Sequence, residues 1–149
     1  PFLTQMAPDL DEHIRRVGME QGTTTGRDRK CGWFNLPEAR YAQAINGFTS
    51  LAITKLDVLA DLREVLVCVG FRTPDGRETT EIPADTRVYS TYSPIYRSFP
   101  SWGTLEHCTT LQDLPKTTRA YLDFLAGELA PISRISIGKE RSRYIRITE

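Results

Sequence analysis

Leu51-Ala52-Ile53-Thr54-Lys55-Leu56-Asp57-Val58-Leu59 decides the fold: three apolar residues make a short buried strand that runs directly into a segment carrying a cation and a carboxylate. Upstream, Pro37 suits the first turn of a helix on which Tyr41, Ala44, Ile45 and Phe48 form an apolar stripe, closed by Asn46-Gly47. Downstream, residues 62–71 contain a second strand. Pro74-Asp75-Gly76 is a turn, and residues 78–82 are its hairpin partner with Thr79-Thr80 exposed. Toward the N-terminus, Met6, Leu10, Ile14 and Val17 predict a helix with Asp9 as N-cap and Gly18 as stop. Toward the C-terminus, Leu114-Pro115 opens a helix to about Leu129, with Tyr121, Leu125 and Leu129 on one face and Phe124 beside them. Residues 132–137 and 144–147 close the chain as strands around Gly138-Lys139-Glu140-Arg141-Ser142. Residues 89–102, rich in aromatics and proline, read as an extended connection containing one short strand. Helices alternating with strands predict an α/β fold, a mixed sheet with flanking helices.

A chain of 149 residues has the size of one domain, and one core is expected. Nineteen Lys plus Arg balance nineteen Asp plus Glu, so no global field favours nucleic acid or an anionic membrane as partner. At 40% hydrophobic and 26% charged residues, the composition is that of a folding globular chain rather than a disordered one. The longest apolar run, Val65-Leu66-Val67-Cys68-Val69, is far too short to cross a bilayer. No repeat or Gly/Ser linker divides the chain. Pro1-Phe2 reads like mid-chain sequence, so the chain is expected to be part of something longer.

Cys31, Cys68 and Cys108 are odd in number and widely spaced, which fits a reducing cytoplasm and no zinc site. Cys68 reads as a small buried hydrophobe in a strand. His107-Cys108 invites a nucleophile dyad, but sequence neighbours point apart and no orienting acid is identifiable. His13 reads as helix packing or a solvent-facing residue.

Polar chemistry concentrates in three segments. In Thr23-Thr24-Thr25-Gly26-Arg27-Asp28-Arg29-Lys30, three hydroxyls, a glycine and several cations offer donors for a carboxylate or phosphate, although no Walker A pattern is present. An ordinary basic surface turn is the alternative. Thr54-Lys55-Leu56-Asp57 lies beyond the carboxyl end of a strand, where open α/β sheets bind ligands. A carboxylate there accepts the two adjacent N–H donors of guanine and meets an acceptor at N1 of adenine. The alternative is that Asp57 caps a helix. Ser136-Ile137-Gly138-Lys139-Glu140-Arg141 runs a strand into a glycine turn whose N–H groups suit a base carbonyl, or forms a plain hairpin turn.

Taken in order, Gly22-Thr23-Thr24-Thr25-Gly26-Arg27, Cys31-Gly32-Trp33-Phe34, residues 46–59, Pro83-Ala84-Asp85, Phe99-Pro100-Ser101-Trp102, Leu114-Pro115 and residues 132–138 resemble the C-terminal part of adenylosuccinate synthetase. The upstream Pro1-Phe2-Leu3-Thr4 extends the likeness to nearly the whole chain. The resemblance implies a P-loop NTPase-like fold and a cytoplasmic, homodimeric ligase of purine biosynthesis. In it GTP phosphorylates the 6-oxygen of IMP, and L-aspartate then displaces phosphate to give adenylosuccinate. It also implies a need for Mg2+, ligated outside this chain, as are the phosphate loop and the catalytic Asp and His, so that this chain alone should not turn over. By position, Thr23, Thr24, Thr25, Gly26, Arg27, Asp28 and Arg29 match the aspartate/IMP loop. Arg29 also matches a GTP contact, and Lys55, Leu56, Asp57, Ser136, Ile137 and Gly138 match the guanine segments. Asp28 departs from the family by placing an anion in an anion loop, where it is expected to face solvent or pair with Lys30. Leu3, Gln5, Asn35 and Ala60 depart as well. The competing expectations are a non-catalytic guanine-nucleotide-binding module or truncated relative, and a scaffold that binds nothing.

Overall fold

A computed structural model describes residues 2–147; Pro1, and with it the start of the first matched segment, lies outside them. The chain folds as two compact units, one of Pro1–Tyr41 with Leu66–Ser98 and the other of Ala42–Val65 with Phe99–Glu149. Each has a small mixed sheet, and the predicted α/β class with flanking helices holds.

The first unit opens with α1 (Pro8–Gly18), which begins one residue before the predicted cap. Pro8 takes the first turn, where its missing N–H is no loss, and Ala7 stands at the N-cap without a side-chain bond. Asp9 is therefore inside the helix rather than its cap. At the other end the stop falls one residue later than expected: Gly18 is still helical, and Met19 takes the left-handed conformation that ends the helix. Met6 and Ile14 are buried, as the stripe predicts. The sheet is organised on β3 (Glu64–Arg72), which pairs in parallel with β1 (Phe34–Asn35) and antiparallel with β4 (Glu78–Thr79). β4 is shorter than predicted. α3 (Thr86–Tyr89) leads into the stretch read as a connection, and the one short strand expected there is eight residues long, β5 (Ser93–Pro100), on β3. Pro94 and Pro100 concealed its length, yet an edge strand tolerates proline because one side of its ladder is unused. Cys68, Phe71 and Tyr89 form the core of this unit, against Leu3, Ile82, Tyr92 and Tyr96. The buried Tyr89 hydroxyl donates to Glu38 at 2.8 Å and accepts from the Asn35 amide at 3.2 Å, so its polar end is satisfied.

In the second unit β6 (Ile132–Ser136) is central, parallel to β2 (Leu51–Ile53) and antiparallel to β7 (Tyr144–Arg146). The parallel register places Ile53 beside Ile135, so the end of β2 and the end of β6 deliver their following loops to the same side. α4 (Lys116–Glu128) begins after Pro115 and buries Tyr121 and Leu125, as its periodicity predicts, together with Leu122, while Phe124 and Leu129 are half-buried and Leu129 stands at the C-cap. Tyr121 packs edge-on against Phe99 and tilted against Trp102.

α2 (Leu36–Asn46) starts and ends as expected, with Gly47 at φ +63° beyond it. Its apolar stripe, however, is not buried: Tyr41 is 62% and Ile45 64% exposed, and it is the first turn, Leu36 and Pro37, that turns inward.

Candidate functional site

Beyond β2 the chain turns at Lys55, whose φ of 60° is left-handed for a residue with a side chain, a conformation that costs about 1–3 kcal/mol. The turn carries Leu56–Leu59, a single 3-10 helical segment, with Lys55 rather than Asp57 at its N-cap. Leu56 is 1% exposed and anchors the segment in the core. Its carbonyl accepts from the Trp102 indole N–H at 3.2 Å, and the Ser101 hydroxyl reaches the carbonyls of Leu59 and Ala60 at 3.1 and 2.9 Å.

Asp57 is thereby turned to a cleft of about 500 Å3 whose wall also includes Ile137, Gly138 and Lys139. That volume lies within the roughly 300–1,000 Å3 of small-molecule sites. Asp57 Oδ1 is buried and has no hydrogen-bond partner among the described residues. The alternative of a helix cap fails, because a capping carboxylate would accept from the first-turn N–H groups. An unpaired buried acceptor costs about 1–3 kcal/mol, and the terminal torsion of an Asp side chain is soft enough to turn it toward an incoming donor. The cleft thus contains an anion in want of N–H donors.

The opposite wall is the β6–β7 hairpin. Ser136 bonds its hydroxyl to the Gly138 carbonyl at 3.2 Å, and the Ile137 N–H donates to the Arg143 carbonyl at 3.0 Å. A Cβ on Gly138 would lie 3.0 Å from Arg143 Cβ, so only glycine passes here without displacing that side chain. Of the residues predicted for the guanine segments, Asp57, Ile137 and Gly138 line this cleft; Lys55, Leu56 and Ser136 flank it without forming its wall. Arg143, Thr104 and Glu106 line it and carried no signal in the sequence, since each arrives from a loop with no motif of its own.

The 23–30 loop belongs to the other unit. Gly26 at φ +64° reverses it, the Gly22 N–H donates to the Arg27 carbonyl at 2.8 Å, and Gln21 and Asp28 form an antiparallel bridge. Thr25, Arg27, Asp28, Arg29 and Lys30 line a recess of about 990 Å3, while Thr23, Thr24 and Gly26 shape the loop outside its wall. Asp28 stays largely exposed to solvent, as one of the two expectations has it, but its charged partner is not Lys30. Its carboxylate accepts from Arg15 at 2.5 Å and from the Gln21 amide at 3.3 Å, which neutralises the anion inside the loop. Arg29 is held by Glu20 at 3.1 Å, an exposed pair of the kind worth about 0–1 kcal/mol and readily exchanged. The loop therefore presents to the recess Arg27 and Lys30, whose side chains have no ion-pair partner among the described residues.

Other chemistry is not assembled. The Cys108 thiol is buried, donates to the Asp113 carbonyl at 3.4 Å and is pushed up by burial, while His107 is exposed, so the pair is no nucleophile dyad. All three cysteines are free. Among the described residues no three His, Cys, Asp or Glu side chains cluster to hold a metal ion. No described helix is long and apolar enough to cross a membrane.

Comparison with known proteins shows the family of this chain. The family model described as adenylosuccinate synthetase matches residues 1–145. The chain is 41% identical over its whole length to adenylosuccinate synthetase of Gloeobacter violaceus and 44% identical to that of Synechococcus elongatus, covering 34% of each. The fully ligated adenylosuccinate synthetase from Plasmodium falciparum superposes with a TM-score of 0.94 at 33% identity, over 99% of this chain and 36% of that one. The chain thus spans about a third of the length of the relatives it matches, and it belongs to the adenylosuccinate synthetase family.

Proposed function

We propose that this chain is the C-terminal region, residues 1–149, of a purine-biosynthetic ligase that joins L-aspartate to IMP at the expense of GTP, and that it supplies the guanine site and the aspartate/IMP loop. The observation that carries the reading is Asp57: an unpartnered buried carboxylate oxygen on a cleft whose far wall is Gly138 and Ile137. Guanine brings N1–H and its exocyclic amine to such a carboxylate as two adjacent donors, and a hydrogen bond to a charged group contributes about 1.5–3 kcal/mol. Adenine brings an acceptor at N1 and is repelled.

Arg27 in its recess is the group to hold a substrate carboxylate or phosphate, bidentately, with Lys30 adding a second positive charge. Thr23, Thr24, Thr25, Gly26 and Asp28 form the loop that carries it, and Arg29 reaches GTP after exchanging its weak pair with Glu20. Lys55, Leu56 and Ser136 complete the base site through backbone and stem. In the reaction the γ-phosphoryl group passes from GTP to the 6-oxygen of IMP, the aspartate amine then bonds to C6 of the purine, and the C6–O bond breaks to release phosphate as the amine loses a proton. Mg2+, the phosphate loop and the catalytic acid–base groups come from the remainder of a cytoplasmic, homodimeric protein.

The test is Asp57→Asn in the full-length enzyme. An amide donates to the 2-oxygen of xanthine, so GTP use falls by about a hundredfold or more while XTP becomes the better substrate. Unchanged constants for both nucleotides remove Asp57 from base recognition.

A further inference from the structure

Three walls enclose the Asp57 cleft: the turn 57–61, the segment 104–106 and the hairpin 137–143. The first and second are bonded through Trp102 to Leu56 at 3.2 Å and through the Gly103 N–H to the Ala60 carbonyl at 3.2 Å. The first and third are joined through the β2–β6 ladder, which ends at Ile53 and Ile135. The second and third are joined by Arg143. Its Nη2 donates to the Glu106 carbonyl at 2.8 Å and to the Leu105 carbonyl at 3.3 Å. The same residue closes the hairpin with its backbone, donating to the Glu140 carbonyl at 2.9 Å and accepting from the Ile137 N–H at 3.0 Å. Its stem lies against Gly138, where a Cβ would meet its Cβ at 3.0 Å and its Cγ at 3.3 Å.

We propose that Arg143 is a positioning residue that sets the width of the base cleft, holding the Ile137–Gly138 wall at a fixed distance from Asp57; this rests on the guanine reading above. A guanidinium whose Nη2 donates to two successive carbonyls makes a two-point tie between the two walls, and its planarity restricts the approach. An ammonium makes a looser one. Cleft width matters for selectivity because the two N–H donors of guanine reach one carboxylate only if the base is held edge-on; a base with a single donor there is less sensitive.

In the full-length enzyme, Arg143→Met retains the stem over Gly138 and removes both bonds, whereas Arg143→Lys retains a charged donor. Arg143→Met is expected to raise KM for GTP about fivefold with kcat within about twofold, and to narrow the preference for GTP over ITP, which lacks the exocyclic amine, by a similar factor. Arg143→Lys recovers most of both effects, and if Arg143→Met does not fold, Arg143→Lys carries the test with a change of about twofold. Asp57→Asn, measured in parallel, separates the two ideas. Loss of GTP selectivity in Asp57→Asn with wild-type KM and preference in both Arg143 variants overturns the positioning role alone. A lowered Tm with an unchanged GTP-to-ITP ratio overturns it too, marking Arg143 as structural. Wild-type behaviour in Asp57→Asn overturns the base site, and Arg143 with it.

Discussion

The indole N–H of Trp102 donates to the carbonyl of Leu56 at 3.2 Å, across 46 residues of sequence, and so bonds the turn that carries Asp57 to the wall beside it. Trp102 is 7% exposed and packs on Tyr121, which ties the turn through one ring to α4. Trp102→Phe keeps much of the packing and leaves the buried Leu56 carbonyl unpaired. It should destabilise the protein by about 1–3 kcal/mol in urea unfolding, and raise KM for GTP before it touches KM for aspartate. Equal rises in both would place Trp102 in general packing only.

Arg15 and Asp28 form the second long-range relationship with a functional consequence. Arg15 lies 3.7 Å from Asp11 and 2.5 Å from Asp28. Arg15→Met uncovers the Asp28 charge on the recess that Arg27 and Lys30 line. A like charge a few ångströms from an incoming carboxylate, in a half-wet site, opposes it by about 1 kcal/mol, so KM for aspartate should rise about fivefold with KM for GTP unchanged. Asp28→Asn added to Arg15→Met should restore it. A double variant as poor as the single would show that Arg15 acts by some route other than shielding Asp28.

Asp113 sets a pH dependence. The N–H groups of Thr109 and Thr110 donate to its Oδ2 at 2.9 and 2.8 Å, and the Thr109 hydroxyl adds a third bond at 3.0 Å, which hold its pKa down from 3.8 to about 2. A depressed carboxyl contributes stability that is complete above its unfolded value and lost as pH falls through its folded value. Thermal midpoints of the wild-type protein should therefore fall between about pH 4 and about pH 2 more steeply than those of Asp113→Asn, which is less stable at neutral pH. Parallel profiles would mean that the Thr109–Asp113 turn does not survive in solution.

Much of this site was legible because its residues sit where strands end. Asp57 follows β2 and Gly138 follows β6, so apolar runs broken by polar residues mark both, and parallel pairing of the two strands then brings both to one cleft. Arg143 and Trp102 were not legible in the same way: their partners are carbonyls, which every residue has, at separations no periodicity encodes. The same holds for Arg15, whose partner in the loop is set by tertiary placement and not by the neighbouring Lys30. A strand within residues 89–102 was legible, but the eight-residue length of β5 was concealed by its prolines and comes from the ladder that β3 offers, a case of pairing overriding local preference. The stripe on α2 was found correctly as a pattern, yet Tyr41 and Ile45 remain exposed, since amphipathic spacing states which face is apolar and not what covers it.

The central claim is that the Asp57 carboxylate selects guanine, and calorimetric titration of the full-length protein and its Asp57→Asn variant with GDP and with ADP tests it most directly. GDP should bind at least about a hundredfold more tightly than ADP, the equivalent of the two charge-assisted bonds, and the variant should lose that preference. Equal affinity of the wild-type protein for GDP and ADP, or an undiminished preference in the variant, would contradict it.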